Sequence, residues 1–115
     1  MEGKKQKRTV QIIAAIVIIV VLIVIFSNSG VDVSAELTSC INENAKLYIL
    51  EGCGACVQQE AMFGEHYSLF EDVDCKYEQE ECNLAQIQYT PTWIIKGKQY
   101  VGVQTIKDLK KYTGC

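Results

Sequence analysis

Two cysteines separated by two residues, Cys53-Gly54-Ala55-Cys56, are the part of this chain best suited to chemistry. Thiol-disulfide exchange needs a thiolate to attack and a second thiol close enough to resolve the mixed disulfide. At a helix start this spacing meets both needs, because free backbone N–H groups and the helix dipole favour a thiolate, lowering its pKa from about 8.5 toward about 3.5 to 7.5. Cys53 is then the attacking sulfur, and Cys56, one turn further in and more shielded, the resolving one. The same pair could instead be a structural disulfide or half of a zinc site. A four-thiolate zinc site usually draws on a second closely spaced pair, whereas the next cysteines, Cys75 and Cys82, have six residues between them, and His66 is the only histidine. One imidazole does not make a metal site, so His66 reads as a surface or packing residue.

The pair must sit where a strand meets a helix, and the flanking sequence supplies both. Leu47, Tyr48, Ile49 and Leu50 make a short apolar run of the kind a buried parallel strand shows, within Lys46 to Leu50, and it stops at Glu51-Gly52. From Cys53 the pattern turns helical, with Val57, Ala61 and Met62 on the expected inner face and Gln58, Gln59 and Glu60 on the outer one, until Gly64. A helix over Ala35 to Asn44, with Leu37 and Ile41 at helical spacing, precedes the strand. Asp72 to Tyr77 holds a second short strand, Glu80 to Ile87 a short helix, and Thr92 to Ile95 a third strand after the only proline, Pro91. Lys96-Gly97-Lys98 turns into a strand over Gln99 to Val103. A last helix opens at Thr105, with Asp108 three residues on as in a capping box; it carries Ile106, Leu109 and Tyr112 as its stripe and stops at Gly114. The order predicts an α/β domain with a parallel portion and a terminal hairpin. Trp93, Tyr48, Phe63 and Phe70 are core or groove-lining residues.

Ahead of this domain, every residue from Val10 to Phe26 except Gln11 is apolar, a run near the lower limit for crossing a bilayer. A cleavable signal peptide is the alternative, since Val33-Ser34-Ala35 offers small residues. The apolar run is longer than the usual signal core of roughly 7 to 15 residues, however, and Ala35 lies well beyond its end. Lys4, Lys5, Lys7 and Arg8 directly precede the run and favour a cytoplasmic N-terminus. The expected organisation is a basic cytoplasmic tail (1–9), a single transmembrane anchor (10–26), a tether (27–34) and an extracytoplasmic domain (35–115). Of 11 basic and 14 acidic residues, seven and thirteen follow the anchor, a net charge of −6 there, which argues against nucleic acid or anionic lipid as a partner.

All six cysteines follow the anchor. An even number in a small exported domain suggests disulfides. Cys75 and Cys82 flank an acidic stretch (Glu78, Glu80, Glu81) and either close it structurally or form a second redox pair. Neither lies at an evident strand-to-helix turn, which favours the structural role. Cys40 and Cys115 are left to pair by parity alone, pinning the two ends of the domain.

Lys46 to Cys115 resembles the thioredoxin superfamily, in which such a pair follows the first core strand and a cis-proline loop faces it. More closely, Tyr89-Thr90-Pro91-Thr92-Trp93, Gly97 before a strand, Gly102-Val103-Gln104-Thr105 and the terminal Gly114-Cys115 resemble thioredoxin-like domains that are fused to, or act beside, vitamin K epoxide reductase-type membrane enzymes. The resemblance implies a compact fold with a central mixed sheet flanked by helices, and no resident cofactor. It also implies a cis Thr90-Pro91 loop whose Thr90 backbone binds an extended client segment. Cys53 and Cys56 would exchange disulfides with exported cysteine-containing proteins and be reoxidised by the quinone-linked partner. Gly54-Ala55 matches neither the Gly-Pro of typical thioredoxins nor the Pro-His of strong oxidants. Leu47 stands where thioredoxins keep a buried acid, leaving Glu51 as the only acid nearby. Two other functions fit the same cysteines: an exported copper or zinc chaperone using Cys53 and Cys56, and a structural domain with all six cysteines locked.

Overall fold

Because a bilayer core offers backbone groups no partner but each other, an apolar run of this kind is expected to be helical throughout. In the computed structural model, which describes residues 2–27 and 33–115, it is. Helix α1 covers Glu2–Ser27, so the helix takes in the basic segment as well as the apolar run. At about 1.5 Å per residue it is about 39 Å long, against about 30 Å for a bilayer core. Among the described residues it is the one helix long and apolar enough to cross a membrane, and none of its apolar window is buried. The chain divides into two units, Met1–Asp32 and Val33–Cys115. Residues 28–32 of the expected tether lie outside the described residues. Ser34 caps the next helix, and Val33 packs against the core of the second unit.

The second unit runs α2 (Ala35–Asn44), β1 (Ala45–Ile49), α3 (Gly54–Ala61), a 3-10 turn (Gly64–Leu69), β2 (Val73–Asp74), α4 (Gln79–Leu84), β3 (Thr92–Ile95), β4 (Lys98–Val101) and α5 (Ile106–Thr113). The strands form one mixed sheet in the order β2-β1-β3-β4. Strand β1 pairs in parallel with β2, Tyr48 opposite Val73 and Ile49 opposite Asp74, and antiparallel with β3, Leu47 opposite Trp93. Strands β3 and β4 form a hairpin with Ile95 opposite Lys98. Its two linking residues, Lys96 and Gly97, have φ of 52° and 77°, the left-handed backbone that two-residue hairpins require. The turn is thus shorter than the expected Lys96-Gly97-Lys98, and β4 ends at Val101 because Gly102 leaves the ladder at φ 90°.

Leu47, Tyr48 and Ile49 are all buried because both faces of β1 are covered. Alternation along the strand sends Leu47 and Ile49 to one face, with Ile41, Cys56, Phe63, Phe70, Trp93, Ile95, Ile106 and Leu109. Tyr48 goes to the other face, with Val73 and Cys82. Helices α2, α3 and α5 therefore cover one side of the sheet and α4 the other. Phe63, Phe70 and Trp93 form one edge-to-face aromatic cluster, with centroids 4.6 Å apart for Phe63–Phe70 and 5.6 Å for Phe70–Trp93. These residues and Tyr48 are core rather than groove.

Local chemistry sets the helix ends. Ser34 Oγ accepts from the Leu37 N–H at 3.1 Å and Thr105 Oγ1 from the Asp108 N–H at 3.1 Å. Gly114 ends α5 in the left-handed conformation at φ 80°, its N–H bonded to the Lys110 carbonyl at 2.9 Å. Cys40 in α2 and Cys115 after α5 form a disulfide with Cα atoms 6.1 Å apart across a sequence separation of 75, tying the two ends of the unit together. By loop-closure entropy that crosslink disfavours the unfolded chain by about 4.5 kcal/mol.

Candidate functional site

Strand β1 ends at Ile49, and the Leu50 carbonyl accepts the Cys53 N–H at 3.0 Å, so a tight turn delivers Cys53 to the start of α3. Cys53 is the N-cap. Its Sγ accepts the Cys56 N–H at 3.2 Å, which puts a sulfur where a Ser or Asp oxygen usually satisfies a free helix donor. Cys53 is half-buried and Cys56 buried at 1% exposure, and both are free thiols. Burial pushes the Cys53 thiol up. Side-chain hydrogen bonds with Cys56 and Thr90 and backbone hydrogen bonds at Cys56 and Ala55 outweigh it, and the net shift is downward. Burial, joined by the bond with Cys53, pushes Cys56 up. The two thiols are thus poised differently, the half-buried one toward the anion and the buried one toward the neutral form.

Thr90 and Pro91 come to the same place from the start of β3, the antiparallel neighbour of β1. Their peptide bond is cis, Pro91 is buried, and the Thr90 carbonyl lies 3.5 Å from Cys53 Sγ. Gly102 N–H bonds to the Pro91 carbonyl at 2.8 Å and joins the loop to the end of β4.

The inner face of α3 is the expected one only at Met62, which packs half-buried against the core. Val57 is 60% exposed and Ala61 is exposed, whereas Gln59 is fully buried. The buried stripe is Cys56, Gln59 and Phe63, spaced i, i+3, i+7. Three hydrogen bonds hold Gln59 inside. Its Oε1 accepts from Trp93 Nε1 at 3.0 Å and from the Gln104 N–H at 2.7 Å, and its Nε2 donates to the Gln104 carbonyl at 3.1 Å. One amide therefore ties the helix that carries Cys53 and Cys56 to β3 and to the segment after β4, with its polar atoms satisfied. Spacing alone hides this role, since a glutamine among Gln58 and Glu60 reads as solvent-facing.

Glu51 is not aimed at the cysteines. It is exposed, and its carboxylate accepts from Lys76 Nζ at 2.7 Å and from the Tyr77 hydroxyl, bonds that hold it below the usual carboxylate range. Leu47 lies buried in the core. The acid raised above its usual range is Glu60, one turn past Cys56 on α3, where burial and then the nearby Asp72 disfavour its charge. Next to it the half-buried Tyr67 donates its hydroxyl to Asp72. His66 is half-buried, 3.9 Å from Glu65, and no group of three His, Cys, Asp or Glu side chains suited to a metal ion occurs among the described residues.

Cys75 and Cys82 are joined in a disulfide with Cα atoms 5.7 Å apart. Their placement differs from the expectation that neither lies at a strand-to-helix turn. Cys75 directly follows β2, and Cys82 sits inside α4, so the disulfide spans such a turn. Sequence missed this because β2 is only two residues long. The two sequence-derived pairings, Cys40 with Cys115 and Cys75 with Cys82, are the two disulfides of the structure. No model of a known protein family matches the chain.

Proposed function

We propose that this chain is a thioredoxin-like thiol-disulfide oxidoreductase, tethered to a membrane by α1, that cycles Cys53 and Cys56 between dithiol and disulfide. The observation that carries the reading is the asymmetry of the pair. Cys53 caps α3 half-exposed with its pKa lowered, and Cys56 waits one turn inside with its pKa raised. Exchange needs that division of labour, because the thiolate attacks and the resolving thiol must stay out of competition until a mixed disulfide forms.

In the forward cycle the Cys53 thiolate attacks one sulfur of a client disulfide, whose other sulfur leaves as a thiolate. Cys56 then loses its proton and attacks Cys53 Sγ, closing the Cys53–Cys56 disulfide and releasing the client as a dithiol. Run backwards, the same two steps donate a disulfide to a client dithiol, and it is this direction that leaves Cys53 and Cys56 reduced for a partner to reoxidise. Thr90 and Pro91 flank Cys53 and provide backbone against which an extended client segment lies. The thioredoxin reading rests also on the sheet order β2-β1-β3-β4 with helices on both sides. The basic residues Lys4, Lys5, Lys7 and Arg8 at the start of α1 favour an N-terminus inside and the redox domain outside the cytoplasmic membrane. Exported cysteine-containing proteins are then the clients, and a vitamin K epoxide reductase-type enzyme is the reoxidising partner.

The test uses the full chain in detergent micelles. Reduced Cys56→Ser protein mixed with a disulfide-containing secreted protein is expected to accumulate a covalent complex through Cys53, and Cys53→Ser protein none. Equal complex formation by both variants, or by neither, overturns the reading.

A further inference from the structure

We propose that Cys75–Cys82 is a second redox centre that exchanges electrons with Cys53–Cys56, an inference that rests on the thiol-disulfide reading of the first pair. The two pairs follow adjacent strands at the same end of the sheet, the first leading into α3 on one face and the second into α4 on the other. Strands β1 and β2 are parallel neighbours in register, Tyr48 with Val73 and Ile49 with Asp74, so they end level at one edge of the sheet. Each is followed by a cysteine at the turn into a helix: Cys53 three residues after Leu50 and into α3, Cys75 directly after Asp74 and on to α4. The turns are bonded to neighbouring residues of the same strand end, the Cys75 N–H to the Ile49 carbonyl at 2.8 Å and the Cys53 N–H to the Leu50 carbonyl at 3.0 Å. The C-terminal edge of parallel strands is where α/β sheets gather reactive groups.

The exposure pattern repeats as well. In each pair the first cysteine is half-buried and the second, inside the helix, is buried: Cys56 at 1% and Cys82 at 5% exposure. A cysteine pair serving only to brace the acidic loop has no need of an accessible leading sulfur. Finally, a groove of about 210 Å3 lies beside the second disulfide, lined by Leu50, Cys75, Cys82, Tyr89 and Thr90. Thr90 is shared with the first centre, since its carbonyl lies 3.5 Å from Cys53 Sγ.

The exchange balances within the chain. The Cys53 thiolate attacks Cys75 Sγ, the Cys75–Cys82 bond breaks, and Cys82 leaves as a thiolate. Cys56, deprotonated, attacks Cys53 Sγ, the Cys53–Cys75 bond breaks, and Cys75 leaves. Two electrons pass from the first pair to the second, and the two protons lost by Cys53 and Cys56 are taken up by Cys75 and Cys82. The reverse sequence restores the starting state.

The experiment is to stall the first step. Full-length Cys56→Ser protein in detergent micelles, dilute and free of oxygen, is incubated at mildly alkaline pH, acid-quenched, alkylated and mapped by non-reducing peptide mass spectrometry. Half of the sample is first treated with oxidised glutathione. The proposal predicts a Cys53–Cys75 crosslink within the monomer band and a newly alkylated Cys82 in more than half of the untreated protein. A Cys53 that takes up glutathione while Cys75–Cys82 stays intact overturns the relay and leaves the exchange reading of Cys53 standing. A Cys53 that reacts with neither overturns both, and a crosslink found only between two copies also overturns the internal relay.

Discussion

The amide of Gln59 makes a quantitative prediction. Gln59→Leu keeps the side chain's approximate size but strands the Trp93 indole N–H and both the N–H and the carbonyl of Gln104. Each buried polar group left without a partner costs about 1 to 3 kcal/mol. Trp93 is wholly shielded from water, which puts its indole near the middle of that range, and the half-buried Gln104 groups sit near the lower end. Allowing about 1 kcal/mol back for the added apolar surface of leucine, the net loss is about 3 kcal/mol. For a unit of this size that lowers Tm by about 12 to 24 °C. Urea unfolding of the full chain in micelles, followed by circular dichroism with disulfides intact, measures it. The exposed neighbour serves as control, since Gln58→Leu should stay within about 0.5 kcal/mol of the parent. In a Trp93→Phe background the indole donor is already gone, so Gln59→Leu should cost about 2 kcal/mol less than in the parent. A Gln59→Leu loss under about 1 kcal/mol, or one that is the same in both backgrounds, refutes the polar tie.

Other consequences concern the cysteines and the acid beside them. Replacing Cys40 and Cys115 together by serine should lower stability by about 4.5 kcal/mol in the same urea assay, because the unfolded chain regains the freedom of a loop of 75 residues. Cys53 should alkylate with iodoacetamide at a rate that rises with pH through a midpoint below the ordinary thiol value of about 8.5, since its anion is favoured. Cys56 should alkylate only at higher pH, since burial disfavours its anion; a common midpoint for the two removes the assigned division of roles. Glu51→Gln should leave the exchange rate unchanged within about twofold, as its carboxylate is held by Lys76 and Tyr77; a loss of about 100-fold would mark it as the proton carrier instead.

Much of this arrangement is legible along the chain. The consecutive burial of Leu47, Tyr48 and Ile49 follows from a strand covered on both faces, and the turn at Glu51-Gly52 places Cys53 at a helix start. Thr105 and Gly114 mark the ends of α5 because capping is a local matter. The inner face of α3 is harder to see. Val57, Ala61 and Met62 form the more apolar stripe, yet once Cys56 must be shielded, helical geometry carries Gln59 and Phe63 in with it. The partners that make a buried glutamine tolerable, Trp93 and Gln104, are more than thirty residues away and show no local signal. Strand β2 escapes detailed placement for a related reason. Two residues carry no periodicity, and only pairing with β1 defines them, which is why the strand-to-helix position of Cys75 emerges from tertiary structure alone.

The most direct measurement of the central claim is the reduction potential of Cys53–Cys56 in the full chain, equilibrated against glutathione buffers and read by thiol trapping at those two residues. A thiolate favoured at Cys53 stabilises the reduced form, so a reversible titration with a midpoint above about −300 mV, in the range of exchange-active pairs, is predicted. A pair that stays oxidised below about −300 mV would be a structural disulfide and would contradict the account.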